Sequence, residues 1–316
     1  MEKKKKLIVL IGPTAVGKTE LSIYLAKQFN GEIISGDSMQ IYKGMDIGTA
    51  KIKEEEMKGI SHHLIDIKEP DEPFSVAEFQ EKVRKEIYNI SQKNKMPMIV
   101  GGTGLYIQSV IYDYQFSDAP GDATIRAQYE KQAKEEGNES VYQLLEKMDP
   151  ESAKKIHPNN IRRVIRALEV IHCTGKTATE YQKQQETDLL YDVAIIGLTM
   201  ERDKLYERIN QRVDIMVNEG LIDEVKGLYD RGIRNVQSIQ AIGYKELYDY
   251  FDGKITLDEA INQLKQNSRR YAKRQLTWFR NKMDVTWFDM TNEMERKKKI
   301  NEISQFVAGK LRLKSN

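Results

Sequence analysis

The sequence predicts an α/β fold: a phosphate-loop-type (P-loop-type) parallel sheet flanked by helices, interrupted by an all-helical insertion domain and followed by a helical C-terminal region. Three observations carry that expectation. Short β-rich runs alternate with helical patterns over the first hundred residues, a glycine-rich loop follows the first run, and more than ninety residues separate the fourth run from the fifth. One parallel crossover needs only about a dozen residues, so the long gap reads as inserted structure.

The β-rich runs lie at 7–11, 32–35, 63–66 and 98–100, with helical patterns at 20–28 and 76–91 between them and a fifth strand at 193–198. Within the gap, helices are expected near 123–136, near 141–147, and from Pro158-Asn159-Asn160 to about Cys173. After the fifth strand come helices at 202–218, 221–229 and 257–280, then one surface helix and a loose tail in the Lys-rich last thirty residues. The expected divisions are 1–114 for the first part of the core, 115–190 for the insertion, and 191–316 for the rest of the core.

A chain of 316 residues suits two domains. Its 50 Lys+Arg against 48 Asp+Glu name no partner, so the placement of charge matters more than its sum. A lone cysteine, Cys173, excludes an internal disulfide and a multi-cysteine zinc site, and suits a reducing compartment. His62 and His63 are adjacent and point to opposite faces of a strand, so they give no metal site. The apolar run after Lys3–Lys6 stops at Gly12-Pro13, too soon for a secretory signal, and no run approaches the roughly 20 residues of a membrane span. A cytoplasmic protein without a membrane partner is expected.

Gly12-Pro13-Thr14-Ala15-Val16-Gly17-Lys18-Thr19 matches G-x-x-x-x-G-K-[ST] at every fixed position, between an apolar strand and a helix. There the loop N–H groups surround one phosphate, Lys18 reaches a second, and Thr19 ligates Mg²⁺. The motif specifies a polyphosphate with Mg²⁺, and ATP or another nucleotide is one candidate. The strand at 98–100 closes on Gly101-Gly102-Thr103-Gly104 rather than on a metal-holding Asp; Asp66 is a candidate second ligand or an ordinary turn residue. Asp37 and Thr103 follow the second and fourth strands, where ligands of open parallel sheets bind, and each has a turn or cap role as its alternative. Alone, the loop also fits a small-molecule kinase or an RNA-binding regulator switched by nucleotide.

Between Glu259 and Asp284 there is no acidic residue, while Lys265, Arg269, Arg270, Lys273, Arg274, Arg280 and Lys282 are basic. Ile261, Leu264, Ala272, Leu276 and Phe279 fall at near-helical spacing, so one face can be buried while Arg270, Lys273 and Arg274 line another, which is either a solvated face or one that meets nucleic-acid phosphates. Arg162, Arg163 and Arg166 form a second basic cluster.

Several motifs share one order with a known family. The phosphate loop is followed by Ser35-Gly36-Asp37-Ser38-Met39-Gln40-Ile41-Tyr42-Lys43-Gly44-Met45-Asp46-Ile47-Gly48-Thr49-Ala50-Lys51 and by Gly101-Gly102-Thr103-Gly104-Leu105-Tyr106. Then come His157-Pro158-Asn159 with Arg163 and Arg166-Ala167-Leu168-Glu169, and finally Tyr271-Ala272-Lys273-Arg274-Gln275-Leu276-Thr277-Trp278-Phe279-Arg280. From about residue 6 to 290 the chain resembles the tRNA dimethylallyltransferase (tRNA isopentenyltransferase) family. The resemblance implies transfer of a dimethylallyl group from dimethylallyl diphosphate to the N6 amine of the adenosine 3′-adjacent to the anticodon, with the tRNA anticodon stem-loop as partner and a monomeric enzyme. It implies that Asp37 is the general base at that amine and Thr103 its helper. It places Asp37, Ser38, Met39, Gln40, Thr103, Arg126, Arg162, Arg163, Val164, Ile165 and Arg166 at the tRNA, with only backbone contact or packing expected of Ile165, and Thr14 through Thr19 with Arg212 at the diphosphate.

Overall fold

The computed structural model describes residues 4–114, 122–177, 179–180 and 188–313. The chain divides into two compact units, Met1–Ile111 with Leu189–Asn316, and Tyr112–Asp188.

The first unit is built on six strands: β1 (Lys6–Ile11), β2 (Gly31–Gly36), β3 (His62–His63), β4 (Met96–Gly101), β5 (Asp192–Thr199) and β6 (Thr286–Asp289). Their order is β3-β2-β4-β1-β5-β6 and every neighbouring pair is parallel. Central β1 is covered on both faces, which is why Leu7 through Ile11 is a continuous apolar run rather than an alternating one. Ile11 pairs with Gly101 and Gly197, and Gly36 with Gly101. The carboxyl ends of the central strands are therefore level, and the loops leaving them share one edge of the sheet.

The helices of this unit's first half are α1 (Lys18–Gln28), α2 (Glu54–Met57), α3 (Val76–Gln92) and α4 (Gly104–Ile111). In α3 the buried Phe79, Val83, Ile87 and Ile90 line one stripe, and the Ser75 hydroxyl caps its start by accepting the Glu78 N–H at 3.1 Å. The second unit holds α5 (Ala123–Glu136), α6 (Asn138–Met148), α7 (Pro150–Ala153) and α8 (Ile161–Thr174), packed on Tyr129, Val141, Leu145, Val164, Ile165 and Leu168. Returning to the first unit, the chain forms α9 (Arg202–Asn218), α10 (Leu221–Asp230), α11 (Tyr244–Phe251), α12 (Leu257–Lys282) and α13 (Arg296–Lys310). Among the described residues no helix is long and apolar enough to cross a membrane.

The parallel α/β sheet is as the sequence predicts, with two differences in its strands. The expected strand at 63–66 is only His62–His63, because Leu64 and Asp66 turn the chain with φ of 60° and 56°. Strand β6 is additional. Helix α13 is the expected surface helix, and its one buried stripe, Ile300, Ile303 and Val307, joins the same core as Ile8, Leu10 and Ile196.

Candidate active site

The phosphate loop leaves the carboxyl end of β1 and runs into α1. Gly17, at the N-cap of α1, has φ +100°, which an L side chain rarely adopts, and a Cβ there would lie 2.8 Å from Arg296 Nη2. Arg296, at the start of α13, pairs with Glu20 at 2.5 Å and so holds the end of the chain against the loop. Lys18 Nζ donates to the carbonyl oxygens of Gly12 at 2.9 Å and Pro13 at 2.7 Å, spanning the loop it belongs to. An ammonium has three protons, so one remains for a phosphate oxygen. Burial, and then the Arg212 guanidinium, push Lys18 down to about 7, while Asp37 opposes the shift.

Asp37 and Thr103 follow β2 and β4, whose ends touch: a Cβ on Gly101 would lie 2.3 Å from the Gly36 backbone. That close approach brings the two loops together. The Thr103 N–H donates to Gly36 O at 3.3 Å, and the Ser38 N–H donates to Thr103 Oγ1 at 3.2 Å. Asp37 Oδ1 accepts the Met39 N–H at 2.8 Å, leaving carboxylate capacity for a ligand. Burial pushes the Asp37 carboxyl up, held back by the Met39 N–H and by Lys18 and Arg212. A carboxylate raised toward neutrality is suited to accept a proton.

Lys18, Thr19, Asp37, Ser38, Met39, Gln40 and Arg212 line one cavity of about 720 Å³ in the first unit, a volume in the range of ligand clefts. Its wall includes Ile209, Val213, Met216, Ile242 and Leu264 beside the polar end. Arg212 stands on α9, and burial lowers its pKa while Asp37 opposes that. One turn earlier Arg208 lines the same cleft; its buried Nη1 has no hydrogen-bond partner among the described residues and lies 3.8 Å from Glu293 Oε1. Sequence reading missed Arg208, Tyr271 and Gln275, the last two reaching the cleft from α12. The i, i+4 spacing of Arg208 and Arg212 was the available signal for the first.

Gln40 is spent within its own loop: it accepts from Ser35 Oγ at 2.9 Å and donates to Thr49 O and Ala50 O at 3.3 and 3.4 Å. Asp66, the candidate second metal ligand, instead pairs with Lys51 at 2.5 Å, and Lys51 also bonds Asp46 and Tyr42 O. Among the described residues no group of three His, Cys, Asp or Glu is placed to hold a metal. Thr19 at the cleft edge therefore fits Mg²⁺ only as one protein oxygen beside diphosphate and water oxygens, the usual way that this ion is held.

On α12 the basic residues divide. Lys265 pairs with Asp214 at 2.5 Å, Arg269 bonds Asn210 at 2.5 Å, and Arg280 stacks over Trp287 at 5.5 Å. Arg270, Lys273, Arg274 and Lys282 line an open groove with Trp278 and Asn281. In the second unit, Arg162, Arg163 and Arg166 are exposed on α8, and Arg166 and Arg126 each reach the buried Glu169 at 2.9 Å. Val164 and Ile165 are buried in that unit's core, at 0% and 4% exposure. Their side chains anchor the helix that displays the arginines, so this stretch presents the side chains of Arg162, Arg163 and Arg166.

Sheet order, phosphate loop and cleft together define the class, a phosphate-loop α/β protein whose ligand lies beyond the carboxyl ends of its strands. Residues 40–282 match the family model described as IPP transferase. The chain is 64% identical over 312 residues to a tRNA dimethylallyltransferase of Geobacillus thermodenitrificans, with 99% of each covered. The crystal structure of the full-length tRNA isopentenylpyrophosphate transferase of Bacillus halodurans matches with a TM-score of 0.75 at 58% identity, covering 98% of this chain and 97% of that one. A eukaryotic dimethylallyltransferase, solved in crystallographic snapshots acting on tRNA, matches with a TM-score of 0.82 at 32% identity, covering 94% of this chain and 77% of that one. The chain belongs to the tRNA dimethylallyltransferase (IPP transferase) family.

Proposed function

We propose that this tRNA dimethylallyltransferase moves the five-carbon group of dimethylallyl diphosphate to the N6 amine of the adenosine 3′-adjacent to the anticodon, giving N6-isopentenyladenosine and diphosphate. The observation that carries this reading is the sharing of one cleft by a diphosphate end, Lys18 with Arg212, and a raised carboxylate, Asp37.

Adenine N6 is a poor nucleophile because its lone pair is delocalised, so the donor supplies the driving force. The allylic C–O bond breaks, its electron pair leaves with the diphosphate, and the N6–C bond forms at the allyl carbon. Loop N–H groups of Ala15 through Thr19, with the Lys18 ammonium and Arg212, stabilise the departing charge. The Thr19 hydroxyl would hold Mg²⁺, which would supply further neutralisation of the leaving group. Asp37 takes the N6 proton, which becomes acidic only as the amine gains positive charge. Thr103, tied to the same loop, orients the base. The apolar wall of Ile209, Val213 and Met216 suits the hydrocarbon and excludes water from the cation.

The adenine is stacked in its loop and must be everted, at a cost of a few kcal/mol. Arg270, Lys273 and Arg274 on α12, and Arg126, Arg162, Arg163 and Arg166 in the second unit, offset this by holding phosphates of the anticodon stem-loop. The protein works as a cytoplasmic monomer. A kinase reading makes ATP obligatory, and a nucleotide-switched RNA regulator leaves the RNA unchanged. Incubation with unmodified tRNA, Mg²⁺ and dimethylallyl diphosphate, without ATP, separates these readings: the nucleoside gains about 68 Da, one C5H8 unit. Brisk ATP turnover with unaltered tRNA overturns the proposal.

A further inference from the structure

Gln275 stands in the buried stripe of α12, with Leu264, Ala272 and Phe279, at 6% exposure. Helical spacing calls for an apolar side chain there. A buried amide is costly unless its donors and acceptors are used, and both ends of this one are. Oε1 accepts the Thr14 N–H of the phosphate loop at 3.3 Å, and Nε2 donates to the Gly102 carbonyl at 3.0 Å, one residue before Thr103. One turn earlier Tyr271 lines the same cleft. Arg270, Lys273 and Arg274 project from the exposed side of the same two turns.

We propose that Gln275 is a positioning residue that locks the phosphate loop to the Thr103 loop and carries tRNA engagement on α12 into the geometry of the donor site. The second half rests on the reading of α12 as a tRNA-binding helix. One planar amide bonded to both loops fixes their separation, which is the distance that the donor carbon and the adenine amine must share. A phosphate backbone drawn onto Arg270 and Arg274 loads the helix that holds that amide. Coupling between two ligands is reciprocal, so RNA tightens diphosphate binding by the factor with which diphosphate tightens RNA binding.

The test uses the full chain, dimethylallyl diphosphate, inorganic pyrophosphate and an anticodon stem-loop RNA. Gln275→Ala is expected to raise the donor KM at least tenfold and lower kcat, to keep RNA affinity within twofold, and to abolish the gain in pyrophosphate affinity that RNA confers. Gly102→Ala reaches the same end with Gln275 in place, since its Cβ would lie 2.1 Å from Nε2 and displaces the amide. Gln275→Glu keeps the acceptor for Thr14, lacks the donor for Gly102, and should fall between; with Gly102→Ala it decides the matter should Gln275→Ala not fold. Unchanged donor KM in these variants overturns the proposal, as does lost RNA affinity with unchanged donor KM, the signature of a direct RNA contact. Arg270→Glu tests the helix separately: if it leaves RNA binding intact while Gln275→Ala raises the donor KM, the coupling to RNA is overturned and the locking of the two loops is supported.

Discussion

Tyr244 donates its hydroxyl proton to the Glu224 carboxylate at 2.6 Å, and that carboxylate also accepts the main-chain N–H groups of Asp46, Ile47 and Gly48 at 2.8, 2.7 and 3.0 Å. Four donors on one carboxylate pin the turn that leads into the cleft wall at Gly48, Thr49 and Ala50. Burial and the adjoining Glu224 charge push the Tyr244 hydroxyl strongly up, so it stays a donor. Glu224→Ala strips all four donors of their acceptor and is expected to cost about 2–4 kcal/mol. Thermal unfolding followed by circular dichroism should show Tm falling by roughly 4–10 °C. A Tm within a degree of the parent would mean that the turn does not need this anchor.

Lys18 gives the site a pH dependence. Its pKa falls from 10.5 to about 7 on folding, so between those values the unfolded chain holds a proton that the folded one has shed, and this group's contribution to stability rises with pH through that window. An anionic diphosphate restores the charge. Pyrophosphate binding is therefore expected to take up a proton above pH 7 and to weaken as pH rises, by up to about tenfold per unit. Titration calorimetry in buffers of different ionisation enthalpy reads the proton count, and zero uptake at pH 8 would refute the shift.

Asp37→Ala removes the proton acceptor while leaving the basic surfaces intact. Single-turnover prenyl transfer is expected to fall about 10²–10⁴-fold, with tRNA affinity within twofold. Because burial raises this carboxyl, the parent rate should decline on acidification at a pH above the ordinary carboxylate range. Rapid quench at fixed pH measures both, and parent-like transfer by the alanine variant would exclude Asp37 from the chemistry.

Arg270→Glu with Arg274→Glu reverses two exposed charges in the groove beside Trp278. Each lost phosphate contact should flatten the plot of log affinity against log salt by about 1, and so by about 2 for the pair. Filter binding from low to moderate salt gives the slope, and an unchanged slope would remove this face from RNA binding.

The sequence was most legible where chemistry forbids substitution. Every fixed position of the phosphate loop has a physical reason, and β1 ahead of it is apolar on both faces. Strand β6 escaped because Thr286-Trp287-Phe288-Asp289 is short, partly exposed and paired on one side only, so neither alternation nor a solid apolar run marks it. The end of β3 was misjudged because Leu64 takes a left-handed conformation that nothing in a leucine announces. The stretch from Arg162 to Arg166 came as one block from resemblance, and helical periodicity splits it, with Val164 and Ile165 inward and the arginines outward. Gln275 was passed over for a related reason: a polar letter in an apolar stripe reads as surface until its two partners, far away in the chain, are seen.

Arg296 packs on Gly17 and reaches Glu20 from 276 positions further along the chain. A ribosome makes the phosphate loop well before the arginine that buttresses it. A nascent chain thus carries the donor loop without its outer wall until those 276 further residues have been made.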